Sequence, residues 1–282
     1  MKHFAIIGHP IAHSLSPLMH NTAFEALGLD CRYEAIDVEK DDLGETVSVL
    51  KERAIDGFNV TLPHKQEIMP LLDDIEEDAQ IIGAVNTVLR RNDKLVGLNT
   101  DLTGFTESLT PFNSRLQNAS VLLLGAGGAA RAVLYGLLRF HQASRILILN
   151  RSLEHAEELA AAFSGIRAET PLSGESLFDD NLQKTIDEAD VIINTTSVGM
   201  KPYPDASPLE EVKFKKTHFI MDLVYTPVET KLMKAASDSE ATTLSGLEMF
   251  LHQGAAAFYR WTGQSMPFDA VKKAVLENLT GQ

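Results

Sequence analysis

The stretch LLLGAGGAARA, residues 122–132, decides how the rest of the sequence is interpreted. It places Gly125, Gly127 and Ala130 in a G-x-G-x-x-A pattern, directly after an apolar run and at the start of a helical pattern. In that context the first glycine permits a tight turn, the second lets a pyrophosphate approach the backbone, and the small third residue lets helix and strand pack closely. A strand-to-helix turn without a ligand is the alternative, but the complete pattern favours a dinucleotide-binding fold.

Apolar runs alternate with helical patterns on both sides of this motif, which is typical of α/β architecture. Around the motif the spacing predicts a doubly wound, Rossmann-type sheet, with strand 120–124, helix 128–140, strand 145–149, helix 152–163, and strands 190–194 and 218–223. Upstream we predict strand 3–8, helix 16–28, strand 31–38, helix 39–54, strand 57–62, one or two short helices in 64–82, and two short strands joined by a polar turn at 91–94. Helices near 102–110, 228–239, 246–261 and 267–280 complete the prediction. The two short strands make the first sheet mixed.

The sequence therefore predicts an α/β protein of two domains. The first is a mixed-sheet domain of residues 1–103, to which the C-terminal helices within 246–282 are expected to return. The second is the Rossmann-type domain of residues 104–245. For helix 16–28 we expect Ser16 as the N-cap, Pro17 at the first helical position and Gly28 at the C-terminal end.

The bulk composition narrows the class of ligand. The chain has 282 residues and a formal net charge of −14, so its long-range field repels phosphate backbones and anionic membrane surfaces. We therefore expect neither a nucleic-acid partner nor a membrane partner. An anionic ligand would have to be held by local features, such as helix N-termini, backbone N–H groups and single cations.

Cysteine and histidine usage bears on metals and on the cellular compartment. Cys31 is the single cysteine, which excludes an intrachain disulfide and a thiolate cluster. The nine histidines include no H-E-x-x-H pattern, so we expect no metal site. The sequence has no run of about 18 apolar residues and no recognisable signal peptide, and we expect a cytoplasmic protein.

The residues after the second strand of the Rossmann-type series bear on which dinucleotide is bound, because the adenosine ribose lies there. An acidic residue would accept hydrogen bonds from a free 2′-hydroxyl, whereas ILILNRS presents Asn150, Arg151 and Ser152. This favours the 2′-phosphate of NADP, with Arg151 as its partner. Glu154 lies close enough to weaken that preference, and Arg151 could simply face solvent, so NAD stays the alternative.

Two polar residues follow strands of the first sheet. Lys65 closes the stretch GFNVTLPHK, and Asp101 closes KLVGLNTD. A nicotinamide enzyme needs a group that donates and accepts a proton beside the carbon that exchanges hydride, and a lysine can serve if its surroundings tune it. We expect both side chains to open into one crevice at the C-terminal ends of the strands. For Lys65 taken alone, an exposed lysine without a role is the alternative.

Seven motifs, in order along the chain, carry a resemblance to a known family. They are HSLSP (13–17), NVTLPHK (59–65), GAVNTV (83–88), NTD (99–101), GAGGAARA (125–132), INTTSVGM (193–200) and GLEMFLHQG (246–254). Together they resemble shikimate dehydrogenase over nearly the whole chain. The resemblance implies a substrate-binding domain followed by a Rossmann domain, and the reversible NADP-dependent reduction of 3-dehydroshikimate to shikimate on the route to aromatic amino acids.

The resemblance also implies roles for individual residues. Lys65 and Asp101 match the catalytic pair, and Ser14 and Ser16 match a clamp for the substrate carboxylate. The positions that match contacts to the rest of the substrate are Thr61, Asn86, Asp101, Tyr225 and Gln253. The positions that match the cofactor site are Gly125, Ala126, Gly127, Gly128, Ala129, Asn150, Arg151, Ser152 and Thr195, with Leu223 and Gly246 at the nicotinamide end.

The sequence departs from the family pattern on the adenosine side. The family often has N-R-T followed by a lysine, whereas Ser152 and His155 stand at these positions. This keeps a quinate/shikimate dehydrogenase that accepts NAD as an alternative. A non-catalytic dinucleotide-binding regulator is the alternative from a different class, although it has no need of Lys65 and Asp101. We expect a small-molecule substrate and a monomer or homodimer.

Overall fold

The computed structural model of the chain describes residues 1–179 and 181–281. The strands in these ranges are β1 Lys2–Gly8, β2 Cys31–Asp37, β3 Gly57–Val60, β4 Asp74–Ile75, β5 Thr87–Arg91, β6 Lys94–Leu98, β7 Ser120–Leu124, β8 Arg145–Asn150, β9 Leu172–Ser176, β10 Val191–Asn194, β11 Phe219–Asp222 and β12 Thr242–Ser245. The α-helices are α1 Ser16–Ala26, α2 Leu43–Glu52, α3 Glu77–Ile82, α4 Asp101–Leu109, α5 Asn113–Leu116, α6 Gly128–Phe140, α7 Leu153–Phe163, α8 Leu182–Asp187, α9 Lys231–Asp238, α10 Gly246–Thr262 and α11 Phe268–Thr280. Short 3₁₀ helices occur at Lys40–Asp42, Met69–Leu71 and Thr110–Phe112.

The chain divides into two compact units. Unit 1 comprises Met1–Gly104 together with Leu251–Gln282, and unit 2 comprises Phe105–Phe250. The predicted domain limits were residues 103 and 246, so the units begin and end within five residues of them. Gln282, the last residue of the predicted C-terminal segment, lies outside the described residues.

Unit 1 is built on a six-stranded mixed sheet with the strand order β2-β1-β3-β5-β6-β4. β1 runs parallel to both of its neighbours, β2 and β3. β5 runs antiparallel to β3 and to β6, so β6 points in the same direction as β3. The C-terminal ends of β1, β3 and β6 therefore lie at one edge of the sheet, together with the start of β5.

Unit 2 is built on a six-stranded sheet with the order β12-β11-β10-β7-β8-β9, and every pair in it is parallel. Counted within the unit, this is the doubly wound Rossmann order. The strand order reverses between β7 and β10, and the crevice at such a point is where open parallel sheets bind ligands. The two sheets confirm the predicted α/β fold class.

Each sheet has its own apolar core. In unit 1, a cluster that includes Ile7, Phe58, Val88 and Leu95 is almost completely buried. In unit 2, a separate cluster includes Leu122, Ile192 and Ile220 from three adjacent central strands. Because both faces of these central strands are buried, they read as continuous apolar runs, and this explains why they were predicted within two residues of their observed bounds.

The single tryptophan of the chain completes the core of unit 1. Trp261 is 8% exposed and stacks on Phe4 of β1, with ring centroids 4.9 Å apart. Its Nε1–H donates to the Val88 carbonyl at 3.0 Å. A Cβ on Gly57 would lie 2.4 Å from the indole Nε1, so only a glycine leaves room for this ring in the sheet.

Some predicted elements were wrong. Ser16 is not the N-cap of α1: the cap position is Leu15, and no side chain caps the helix from there. The predicted helix 39–54 is a 3₁₀ helix followed by α2, and the predicted helical segment 64–82 contains β4 as well as α3. The elements that the sequence did not reveal are β4, α5, α8, β9 and β12. All five are short, and their apolar periodicity is correspondingly weak.

No helix in the described ranges has the length and apolar character needed to cross a membrane.

Candidate active site

Lys65 and Asp101 form an ion pair at one edge of the unit 1 sheet. Lys65 lies five residues beyond β3, and its carbonyl accepts the Val85 N–H at 2.7 Å, which anchors this turn on the segment just before β5. Asp101 is the first residue of α4, three residues after the end of β6, where a helix N-terminus favours a carboxylate. The Lys65 Nζ lies 2.6 Å from Asp101 Oδ2, and the two side chains are 14% and 9% exposed.

Asn86 is the third member of this site. It is buried just before β5, and its Nδ2 donates to the second carboxylate oxygen, Asp101 Oδ1, at 2.8 Å. The Thr100 N–H donates to Asn86 Oδ1 at 2.6 Å. The structure thus brings together three of the predicted residues: a cation, a carboxylate and an amide with fixed hydrogen bonds.

Ser14, Ser16 and Thr61 follow β1 and β3, whose C-terminal ends lie at the same edge. The Ser14 Oγ accepts the Ser16 N–H at 3.3 Å, so Ser14 rather than Ser16 satisfies a free N–H at the start of α1. Thr61 donates its N–H to the Ile7 carbonyl at 2.9 Å. A Cβ on Gly8 would lie 2.4 Å from Thr61 Cγ2, so this close approach requires glycine.

The other two predicted substrate residues lie on different elements. Gln253 is half-buried on the part of α10 that belongs to unit 1. Tyr225 belongs to unit 2, where its ring stacks on Phe250 with centroids 4.4 Å apart. Burial disfavours the phenolate and raises the pKa of Tyr225 to about 12, so its hydroxyl stays protonated at neutral pH.

The glycine motif of unit 2 lies at the point where the strand order reverses. Gly125 has φ +103°, and a Cβ there would lie 2.8 Å from Thr195 Oγ1. Thr195, which follows β10, donates its N–H and its hydroxyl to the Leu124 carbonyl at 2.9 and 2.6 Å. Gly127 is the exposed N-cap of α6, and a Cβ there would meet nothing within 4 Å. The open space in front of the helix N-terminus suits an anionic ligand.

The remaining residues of the predicted glycine loop and adenosine side lie beside this point. Gly128 starts α6, and Ala126 and Ala129 flank it, both half-buried. The Asn150 Nδ2 donates to the Ser152 carbonyl at 3.0 Å, and the Ser152 Oγ accepts the His155 N–H at 3.4 Å as the N-cap of α7. Arg151 is exposed and makes no hydrogen bond or ion pair with any residue that the structure describes. Its guanidinium is therefore available to a ligand.

Leu223 and Gly246 are close neighbours at the ends of adjacent strands. Leu223 follows β11, and Gly246 follows β12 as the first residue of α10. A Cβ on Gly246 would lie 2.1 Å from the Leu223 carbonyl oxygen. The backbones can approach this closely only because residue 246 is glycine.

A buried carboxylate at the end of β11 was missed by the sequence analysis. Asp222 has no exposed surface, and it accepts hydrogen bonds from Asn194 Nδ2 at 2.8 Å, the Val224 N–H at 3.0 Å and the Thr230 hydroxyl at 2.6 Å. Burial raises the pKa of Asp222 to about 6. The signal in the sequence was a polar residue at the end of each of two apolar runs: Asn194 in INTT and Asp222 in MDLV.

Asn194 directly precedes Thr195, but its side chain is completely buried. Its amide nitrogen is used by Asp222, and its Oδ1 accepts the N–H and the hydroxyl of Thr196 at 3.0 and 2.7 Å. The side chain therefore supports the loop after β10 from inside the unit. Thr195 is the member of this pair that borders the glycine motif.

Comparison with known proteins identifies the family. Models of the shikimate dehydrogenase substrate binding domain, of shikimate/quinate 5-dehydrogenase and of the shikimate 5′-dehydrogenase C-terminal domain match residues 6–88, 108–247 and 246–276. A shikimate dehydrogenase (NADP(+)) of Shouchella clausii is 41% identical over 281 residues, with 99% of each chain covered.

Solved structures agree with the sequence matches. A shikimate dehydrogenase in complex with NADP⁺ is 39% identical, with a TM-score of 0.90 and coverage of 99% of this chain and 96% of that one. A quinate dehydrogenase from Corynebacterium glutamicum in complex with NAD is 29% identical, with a TM-score of 0.87 and coverage of 98% and 99%. The full-length identity to relatives and the match of family models along the chain lead to one conclusion: the chain belongs to the shikimate dehydrogenase family.

Proposed function

We propose that this protein catalyses the reversible NADPH-dependent reduction of 3-dehydroshikimate to shikimate, a step in the biosynthesis of aromatic amino acids. The observation that carries the proposal is the ion pair of Lys65 and Asp101, with 2.6 Å between Nζ and Oδ2, at the edge where the strands of unit 1 end. A largely buried lysine paired with a carboxylate, which an amide in turn holds in place, is suited to moving a proton. Family membership supplies the substrate and the cofactor.

Lys65 would act as the proton donor and acceptor. Bound NADPH would supply the hydride to the carbonyl carbon of 3-dehydroshikimate. The carbonyl oxygen then gains negative charge, and the Lys65 ammonium donates a proton to it; in the opposite direction the neutral amine takes the proton from the shikimate hydroxyl. Asp101 holds Nζ in place with one oxygen, and Asn86 holds the other oxygen, so the carboxylate cannot rotate away from the lysine.

The remaining substrate residues would bind the carboxylate and the hydroxyl groups. We propose that the Ser14 and Ser16 hydroxyls bind the substrate carboxylate, supported by their place at the N-terminus of the 11-residue helix α1. The hydroxyl groups of the substrate would be bound by Thr61, Asn86, Asp101, Tyr225 and Gln253. Unit 1 is in this proposal the substrate-binding domain.

Unit 2 would be the cofactor domain. The pyrophosphate of NADP would lie on the loop of Gly125, Ala126, Gly127, Gly128 and Ala129 and beside Thr195, because open space and helix N–H groups meet there. Asn150, Arg151 and Ser152 would surround the adenosine ribose, with the exposed Arg151 guanidinium on the 2′-phosphate. Leu223 and Gly246 would border the nicotinamide ring.

The activity is tested by assaying a matrix of two substrates and two cofactors on the wild-type enzyme and on two variants. Shikimate and quinate are each assayed with NADP and with NAD by following nicotinamide absorbance. We expect the highest kcat/KM for shikimate with NADP, and we expect Lys65→Ala to lower kcat by about 10²–10⁴-fold while NADP affinity, measured by fluorescence titration, is unchanged. Lys51→Ala is the matched control, since Lys51 is ion-paired with Asp73 at 2.7 Å elsewhere in unit 1.

Each alternative has its own outcome in this matrix. A higher kcat/KM for quinate with NAD would replace the proposal with a quinate dehydrogenase. Binding of NADP without turnover of either substrate would indicate a regulator. Normal kcat in Lys65→Ala would remove the assignment of Lys65 as the proton donor.

The cellular setting follows from the same proposal. We propose a cytoplasmic enzyme, supported by the single cysteine, which fits a reducing compartment. A monomer or homodimer is the proposed assembly.

A further inference from the structure

A cluster of buried polar side chains lies behind the Lys65–Asp101 pair. We call it the polar cluster; its members are Tyr33, Asn59, Asn86, Thr87 and Thr100, each at most 5% exposed. A buried polar group is destabilising unless it is hydrogen-bonded. Each side chain of the cluster must therefore match the donors and acceptors of its neighbours, and this restricts how it can be oriented. None of these side chains except Asn86 has a role in the proposed reaction.

The amide of Asn59 has one possible orientation. Its Nδ2 donates to the Asn86 carbonyl at 3.1 Å and to Thr87 Oγ1 at 2.9 Å, and its Oδ1 accepts the Tyr33 hydroxyl at 2.7 Å. The reversed amide would place Oδ1 against a carbonyl oxygen, and two acceptors repel each other. The Thr87 hydroxyl must therefore accept from Asn59 and is left with its own proton to donate.

The Thr87 proton is directed to the side where Asn86 and Thr100 lie. Thr87 Oγ1 lies 3.1 Å from Asn86 Oδ1 and 2.9 Å from Thr100 Oγ1. Asn86 Oδ1 also accepts the Thr100 N–H at 2.6 Å. The Asn86 oxygen thus accepts from Thr87 and from Thr100, whose hydroxyl lies 3.2 Å from it. The Asn86 nitrogen donates to the Asp101 carboxylate at 2.8 Å and to Thr100 Oγ1 at 3.1 Å.

We propose that Thr87 is a positioning residue, and that Asn59 and Tyr33 support it: their hydrogen bonds fix the Asn86 amide with its nitrogen toward Asp101, and thereby fix Asp101 against Lys65. The proposal rests on the proposed function. With Thr87 unable to donate, the Asn86 amide loses one of the bonds that fix its orientation. The Asp101 carboxylate then gains freedom to leave Lys65.

The test compares Thr87→Val with Thr87→Ser. Valine has the shape of threonine without the hydroxyl, whereas serine keeps the hydroxyl. We expect Thr87→Val to lower kcat/KM for shikimate by about tenfold, which corresponds to one or two hydrogen bonds, and to leave the KM for NADP unchanged. Thr87→Ser should restore most of that loss. Thr170→Val, which removes a buried hydroxyl in unit 2, is the control for the substitution itself.

A double-mutant cycle separates positioning from a general loss of stability. If Thr87 acts through Asn86, Thr87→Val has no further effect on kcat/KM once Asn86→Ala is present. Additive effects would overturn the proposal, and so would a Thr87→Val enzyme with unchanged kcat/KM.

If Thr87→Val does not fold, the Tyr33→Phe variant provides the test, because it deletes only the hydroxyl that holds Asn59. A reduced kcat/KM of this variant supports the proposal, and an unchanged kcat/KM overturns it.

The outcome is distinguishable from failure of the proposed function. The wild-type matrix of substrates and cofactors tests the activity without any change in the polar cluster. A shikimate dehydrogenase whose Thr87→Val variant is fully active would retain the proposed function and lose only this inference.

Discussion

At the scale of single residues, the buried Asp222 carboxylate couples stability to pH. Its side chain is completely buried, and its pKa is raised from 3.8 to about 6 because burial disfavours the charged form. Between these two pH values the unfolded chain has lost the proton and the folded chain still holds it. The contribution of Asp222 to folding stability therefore falls as the pH rises from about 4 to about 6.

Asp222→Asn should remove this pH dependence. Asparagine has the same shape, its Oδ1 can accept from Asn194 and from the Val224 N–H, and its amide can donate to Thr230. We expect the difference in free energy of unfolding, variant minus wild type, to increase by about 3 kcal/mol between pH 4 and pH 7. Urea denaturation of both proteins at several pH values measures it, and every other titrating group cancels in the difference. A constant difference would show that Asp222 does not titrate in this range.

The sequence predicted the residues at the strand ends better than the residues behind them. Lys65 and Asp101 could be placed together because parallel strands end at one edge, and the structure joins them directly. The orientation of the Asn86 amide depends on Thr87 and Thr100, which no local pattern reveals. Ser16 was expected as a cap from its residue type, yet Ser14 Oγ accepts the N–H that is free there. Such details depend on which neighbours the fold brings within hydrogen-bonding distance.

At the scale of elements, the packing of β9 on α7 depends on one glycine. Gly174 lies in the middle of β9, and a Cβ there would lie 2.4 Å from the Ala156 carbonyl carbon and 2.5 Å from the Glu157 backbone nitrogen. Backbone atoms cannot rotate away as a side chain can. The helix would have to move off the strand.

Gly174→Ala should therefore destabilise unit 2 by about 1–3 kcal/mol, the usual cost of forcing extra volume into a packed contact. Gly165→Ala is the matched control, because a Cβ there meets nothing within 4 Å. Urea denaturation of the two variants measures the effect. Equal stability of the two variants would mean that α7 can shift without cost.

The same strand shows why some elements escape prediction. β9 has the sequence LSGES, in which only one of five residues is a large apolar one, so no alternation is visible. Its place at the sheet edge is secured by pairing with β8 and by the close contact at Gly174. The central strands, in contrast, are apolar on both faces and were recognised from their composition.

At the scale of the whole molecule, one compact unit is continuous in the chain and the other is not. Unit 2 is Phe105–Phe250, with its own sheet and its own apolar cluster. All the residues proposed to bind the cofactor, from Gly125 to Gly246, lie in it. The proposed catalytic pair lies in unit 1.

We expect residues 105–250, expressed alone, to fold cooperatively and to bind NADP without turning over shikimate. Circular dichroism during heating measures the folding, and isothermal titration calorimetry measures cofactor binding. The same fragment with Arg151→Ala is the control, because loss of the guanidinium should weaken binding of NADP and leave binding of NAD unchanged. A fragment without a cooperative transition would show that unit 2 needs the rest of the chain.

The burial of Trp261 has a spectroscopic consequence. It is the single indole of the protein, and it stacks on Phe4 and bonds to Val88 within unit 1. Tryptophan emission excited at the red edge of its absorption band therefore reports on the unfolding of that unit alone, and unit 2 is silent in the same signal. Because the indole comes from the C-terminal segment, the native emission spectrum appears only after the last part of the chain has joined the first sheet.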